Sequence, residues 1–282
     1  AAGAPRPRCR EYPRPTAADP QAPARLLTER RGRVLVLTIS NPRARNALSI
    51  DISGACTPAI EAASADPAVG AIVITGDGGH FCGGGNVALL YQRRSGPRAE
   101  QAKSIDTVNA WMRAMRACPK PIIGAVEGAA AGAGFSIALN CDLIVASEEA
   151  KFVMSYVKIG VTPDGGGSAN LAALVPMQTA LEWMLEGGVV GAPRLHALGV
   201  VNKVVKPGSA LAEAVAWGER LAAGPIVDYG RIKRLYAAAR GRNAANFDAQ
   251  LDLERDTFVE ALFADEAGEG MQAFLEKRPA RF

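Results

Sequence analysis

Histidine is almost missing from this chain of 282 residues, which has only His80 and His196. A multi-histidine metal centre is excluded, and a Ser-His-Asp or Cys-His mechanism must use one of these two. The five cysteines, Cys9, Cys56, Cys82, Cys118 and Cys141, are scattered and form no CxxC pair. That argues against a disulfide framework and against a zinc site. No apolar run of about 18 residues occurs, so no membrane-spanning helix is expected. Charge is sparse too: 21% of residues are charged, with a net +4. Arg6, Arg8, Arg10 and Arg14 carry much of that excess. The remainder is near balance, so no general nucleic-acid affinity is indicated.

What is present is apolar residues, 49% of the chain, enough to bury a large core. Residues 1–24, rich in Pro, Ala and Arg, show no apolar periodicity and are expected to be a disordered extension. They lack the apolar centre of a secretory signal, so a cytoplasmic protein is expected.

Five apolar, β-branched runs read as strands: 33–40, 71–75, 120–128, 142–147 and 200–205. Between them, 50–65, 99–117 and 133–140 read as helices. Continuously apolar strands alternating with helices indicate an α/β fold with a largely parallel sheet covered on both faces. After Pro207 the pattern changes to four successive helices, 209–223, 225–240, 243–264 and 268–277, two of them clearly amphipathic. The division expected is therefore 25–207 as the α/β core and 208–282 as a helical region that packs on the core or on another subunit.

Two strands run directly into loops of small residues, "GDGGHFCGGGN" after 71–75 and "EGAAAGAGFS" after 120–128. Ligands in α/β folds sit at that edge of the sheet. Glycine and alanine leave peptide N–H groups uncovered, and two of them aimed at one point make an oxyanion hole. The second loop also opens a helix near Ala133, whose dipole favours developing negative charge. No GK[ST] follows the glycines of the first loop, so it is not a Walker loop. Cys82 with His80 as nucleophile and base lacks a residue to orient the base, and Cys82 reads as a small buried hydrophobe.

The segments "RNALS" (45–49), "FCGGGNV", "KPIIGAVEGAAAGAGFSIALNCDLIVAS", "KIGVTPDGGGSANL" and "EGMQAFLEKRPARF" stand in order along residues 25 to 282. Together they resemble the enoyl-CoA hydratase/isomerase family, the crotonase superfamily. The resemblance implies a crotonase-like spiral of ββα repeats, followed by a C-terminal helical trimerisation region. A homotrimer or a hexamer built as a dimer of trimers is implied, with an acyl-CoA thioester as substrate. No metal or other cofactor is implied, since coenzyme A belongs to the substrate. Gly85 and Ala133 match the family's oxyanion donors. Coenzyme A contacts fall on Arg45, Ala47, Leu48, Phe81, Gly83 and Asn86, with Lys277 as a further base and Arg43 a weaker one. Leu89, Leu90, Tyr91 and Trp111 are expected around the acyl group, although packing explains them equally well.

Hydratases of this family use two glutamates, and here the matching positions hold Ser136 and Tyr156. Both are expected at the acyl pocket, but neither replaces a carboxylate. One carboxylate remains well placed, Asp164 in "TPDGGG". A single carboxylate suffices to move a double bond by taking a proton from one carbon and returning it to another. The alternative for Asp164 is an N-cap of the helix at 166–174. Glu127 and Asp142 are expected to be structural, and His196 a surface or packing residue. The activity expected is thus double-bond isomerisation, with Asp164 as acid/base and Gly85 and Ala133 as oxyanion donors. Hydration by an atypical route, or an inactive CoA-ester-binding relative, are the alternatives.

Overall fold

A computed structural model describes residues 23–239 and 244–281; most of the Pro/Arg-rich segment, including Cys9, lies outside the described residues. The elements run β1 (Arg25–Arg31), β2 (Val34–Ser40), α1 (Ile50–Ala65), β3 (Ala71–Gly76), α2 (Val87–Arg93), α3 (Arg98–Ala117), β4 (Ile122–Val126), β5 (Ala129–Ala131), α4 (Ala133–Asn140), β6 (Leu143–Ser147) and β7 (Lys151–Val153). They continue with α5 (Gly167–Leu174), α6 (Met177–Glu186), β8 (Val189–Gly191), α7 (Ala192–Ala197), β9 (Lys203–Val205), α8 (Ala210–Ala222), α9 (Ile226–Ala239), α10 (Ala244–Leu262) and α11 (Asp265–Glu276). Short 3-10 turns cover Pro42–Ala44 and Ser155–Ile159.

Six strands form the main sheet in the order β1-β2-β3-β4-β6-β9. All neighbours in it are parallel except the edge pair β1–β2. β3 and β4 are apolar and buried on both faces because helices cover both. One face packs Val34, Val36, Val73, Ile123 and Val145 against Ala210, Ala214 and Val215 of α8. The other turns Ile39, Ile72, Ile74 and Ile122 toward α1 and α3 through Ile52, Ile60, Trp111 and Met115. Each such side chain contributes roughly 1.5–3 kcal/mol by leaving water. The architecture is an α/β fold whose largely parallel sheet is covered by helices on both faces.

Three elements differ from the sequence reading. "RLLTERR" forms β1, a strand whose register is set by β2 and whose polar side chains suit an exposed edge. The small-residue loop after β4 contains β5, which joins β7 and β8 in a second sheet. Residues 87–93 form the short helix α2, opened by Asn86, whose side chain accepts the Leu89 N–H. The C-terminal helices pack on the core: α8 on the sheet, α10 on α3, and α11 on α2 and the Ser155–Ile159 turn.

Candidate active site

The glycine-rich loop after β3 and the β5–α4 junction lie side by side. An isolated parallel bridge pairs Cys82 with Ala130, and another pairs Gly85 with Leu48. Glycine is required at this contact: a Cβ on Gly84 (φ +89°) would sit 2.6 Å from the Ala131 carbonyl, and one on Gly134 would sit 2.2 Å from the Cys82 carbonyl. Asn46 ties in the third loop by donating to the carbonyls of Asp77 and His80 while accepting from the Asn41 N–H. Arg45 and Asn46 both take left-handed backbone conformations there.

A cavity of about 670 Å³ opens at this junction. Arg43, Arg45, Ala47, Leu48, Gly83 and Asn86 line it together with Gly85, Leu89, Leu90, Ala133, Tyr156 and Asp164. Ala133 is the first residue of α4, so its N–H has no acceptor within the helix. Among the described residues, the Gly85 N–H also donates to no main-chain carbonyl outside its own element.

Other residues singled out in the sequence lie elsewhere. Phe81 and Trp111 are buried in the core and do not line the cavity. Tyr91 is on the exposed side of α2. Lys277 ends α11 as its exposed left-handed cap, and Phe274 and Leu275 line the cavity instead. Cys82 is fully buried and burial pushes its thiol up to about 12, the condition of a structural cysteine. His80 Nδ1 accepts the Ala129 N–H and so holds the loop. Glu127 caps α8 through the Ala210 N–H. Asp142 accepts the Ile122 N–H and pairs with Lys233, and His196 bonds the Val201 carbonyl at the surface.

Asp164, 7% exposed, is the only carboxylate among the described residues of the cavity lining. Burial raises its carboxyl to about 6, against the opposing hydrogen bond from Tyr156. The Tyr156 hydroxyl donates to Asp164 Oδ1 over 2.8 Å and lies 3.0 Å from Ser136 Oγ. Burial first, then the neighbouring carboxylate, pushes the Tyr156 phenol well above its ordinary value, so it stays protonated. Ser136 and Tyr156, the positions the sequence resemblance matches to glutamates, therefore form a neutral chain that ends on the carboxylate. Ser136 itself is buried behind Tyr156 and does not line the cavity.

Asp164 does not cap α5. That helix starts after Gly166 with no cap from its own segment. Glu254, reaching from α10, accepts the N–H groups of Gly166 (2.6 Å) and Ser168 (3.0 Å) and the Ser168 hydroxyl (2.6 Å). Its carboxyl is 4% exposed and raised to about 7, chiefly by burial. Sequence reading missed Glu254 because an acid on an amphipathic helix reads as solvated. Asn140 fixes the other side of the same segment by donating to the Gly165 carbonyl.

The family model for enoyl-CoA hydratase/isomerase matches residues 29–282. The chain belongs to that family. Similar proteins include a crotonyl-CoA hydratase of Syntrophomonas wolfei, 34% identical over 91% of this chain and 97% of its own. The 1,2-epoxyphenylacetyl-CoA isomerase of Escherichia coli is 31% identical over 88% of this chain and 94% of its own. Among solved structures, an enoyl-CoA hydratase from a Polaromonas species is 44% identical, covers 91% of this chain and 98% of its own, and superposes with a TM-score of 0.76. Relatives in this family thus carry both hydratase and isomerase names.

Proposed function

We propose that the protein binds an acyl-CoA thioester and shifts a carbon–carbon double bond along its acyl chain. The observation that carries this reading is a single buried carboxylate, Asp164, sharing one cavity with the Gly85 and Ala133 N–H groups. The thioester oxygen accepts hydrogen bonds from those two groups. Ionised Asp164 takes a proton from the α-carbon of a 3-enoyl ester. The electron pair of that C–H bond passes into the conjugated system and onto the thioester oxygen as a dienolate. Asp164 returns the proton at the γ-carbon, and the 2-enoyl ester results. The Tyr156 hydroxyl occupies Oδ1, so Oδ2 handles the proton. Each N–H donor to the oxyanion contributes on the order of 3 kcal/mol by analogy with other oxyanion holes. The α4 dipole adds to it.

Arg43 and Arg45 at the cavity mouth suit the phosphates of coenzyme A. The exposed apolar side chains Val227, Ile232 and Leu235 of α9 fit a subunit contact in a trimer or a dimer of trimers. Light scattering after size exclusion tests this: a multiple of three chain masses is expected, and a monomer refutes it.

The deciding assay supplies 3-enoyl-CoA and follows the rise of conjugated thioester absorbance, with Asp164→Asn as the inactive control. Full turnover by that variant refutes the assignment. The hydratase names among relatives favour a second reading, water addition to a 2-enoyl ester. Loss of conjugated absorbance from 2-enoyl-CoA, with a 3-hydroxy ester as product, identifies that reaction instead.

A further inference from the structure

The cavity has a second polar end, away from Asp164. Arg93 closes α2, and its Nη1 donates to Ser104 Oγ (2.9 Å) and Gln101 Oε1 (3.3 Å) of α3. All three residues line the cavity. Arg93 pairs with no carboxylate among the described residues, and its Nε and Nη2 donate to none of them. Those two groups form the edge of a guanidinium that grips a carboxylate with two parallel bonds. Gln101 is 2% exposed, yet its amide nitrogen donates to no described residue. The neighbouring Arg94 is turned the other way, onto the Ala264 carbonyl ahead of α11. Of the adjacent pair, Arg93 alone faces the cavity.

Two helices locate this cluster relative to the reacting centre. On α2, Leu90 reaches within 3.4 Å of the Cβ direction of Gly85, and Arg93 lies one turn further along the same face. On α3, Val108 stands 3.7 Å from the Cβ direction of Gly165, beside Asp164. Ser104 and Gln101 follow on that face at one and two turns. At about 1.5 Å rise per residue, the cluster sits roughly 5–10 Å beyond the oxyanion donors and the Asp164 loop. The walls between are apolar: Leu90, Ile105, Val108 and Phe258. A chain of methylenes fits that stretch, and an anionic end fits its terminus.

We propose that Arg93, with Ser104 and Gln101, binds a terminal carboxylate on the acyl group, so that the substrates are CoA half-esters of dicarboxylic acids. This rests on the acyl-CoA reading above, but its test needs no turnover. Calorimetry would compare glutaryl-, adipoyl- and pimeloyl-CoA with pentanoyl-, hexanoyl- and heptanoyl-CoA, all saturated and unreactive. The best carboxylate-ended ester should bind about tenfold or more tighter than its methyl-ended counterpart, in line with a partly desolvated charge pair. Arg93→Met should abolish that ratio, and Arg93→Lys should keep part of it. Free coenzyme A should bind the wild type and both variants alike. A wild-type ratio near one overturns the proposal whatever the variants do. So does a ratio that survives in Arg93→Met, or an equal loss of free coenzyme A affinity, which would put Arg93 on the nucleotide. A clear ratio with no isomerase or hydratase turnover would refute the proposed reaction and leave this site standing.

Discussion

Tyr156 donates its hydroxyl to Asp164 Oδ1 at 2.8 Å, from a position that the sequence resemblance matches to a hydratase glutamate. A neutral donor thus stands beside the one carboxylate of the described cavity lining. The bond stabilises the ionised form of Asp164 and restrains the rise that burial causes. Tyr156→Phe removes the restraint, so the Asp164 carboxyl should titrate above its present value of about 6. In the proposed reaction Asp164 acts as base when ionised, so the acid limb of kcat/KM should move to higher pH in the variant. A limb that stays in place or moves toward acid refutes the coupling.

Asp164→Asn should stabilise the fold while removing activity. The carboxyl rises from 3.8 to about 6 on folding, so the folded state holds the proton more tightly than the unfolded one. Stability therefore falls as pH rises through that window, and above it the buried carboxylate costs on the order of 3 kcal/mol. The neutral amide escapes this cost. Thermal unfolding at pH 8 should show the variant melting several degrees higher, and at pH 3.5 the difference should largely vanish. A lower melting temperature at pH 8 would contradict this.

Glu254 bears on turnover without reaching the cavity. It binds the Gly166 and Ser168 N–H groups, which directly follow Asp164 and Gly165. Phe247, two turns before Glu254 on the same face of α10, packs so tightly on Gly166 that a Cβ there would lie 2.9 Å from its ring. Glu254→Ala leaves those N–H groups without their acceptor and frees the segment. A displacement of about 1 Å at a reacting group costs as much as ~100-fold in rate. Steady-state kinetics should show kcat falling tenfold or more with KM for the CoA ester little changed. Glu254→Gln, which keeps an acceptor oxygen, should recover part of the loss. Equal changes in kcat and KM would assign Glu254 to general stability.

The parallel core was legible because Val, Ile, Leu and Ala dominate β2, β3, β4 and β6, as burial on both faces requires. β1 was not, since "RLLTERR" becomes a strand only through its pairing with β2. Short strands such as Ala129–Ala131 carry too few residues for any period to appear. At the site, the glycines and Asp164 stood out by motif. Trp111 showed only that it lies on the inner face of α3; whether that face meets core or cavity depends on the partner helix. The Ser136–Tyr156–Asp164 chain and the Glu254 cap join residues distant in sequence, and no local pattern encodes such contacts.

The closeness of the two loops that carry Gly85 and Ala133 gives a steric test. Gly134, the second residue of α4, has room for no side chain: an added Cβ would meet the Cys82 carbonyl oxygen at 2.2 Å and the Cys82 Cβ at 2.9 Å. Both obstacles belong to a buried segment held on β5 by the bonds from Cys82 N–H to the Ala129 carbonyl and from Ala131 N–H to the Cys82 carbonyl. Neither can rotate away, so Gly134→Ala must push α4 and the glycine loop apart. Alanine is the better helix former, and propensity alone would stabilise the variant by up to about 1 kcal/mol. Overpacking of this kind typically costs about 1–3 kcal/mol, so strain should win. Chemical denaturation should show a net loss of stability. Because the same movement separates the Gly85 and Ala133 N–H groups, kcat should fall even at temperatures where the variant is fully folded. A variant as stable and as active as the wild type would mean that the two loops yield to one another, and that their spacing does not set the proposed oxyanion site.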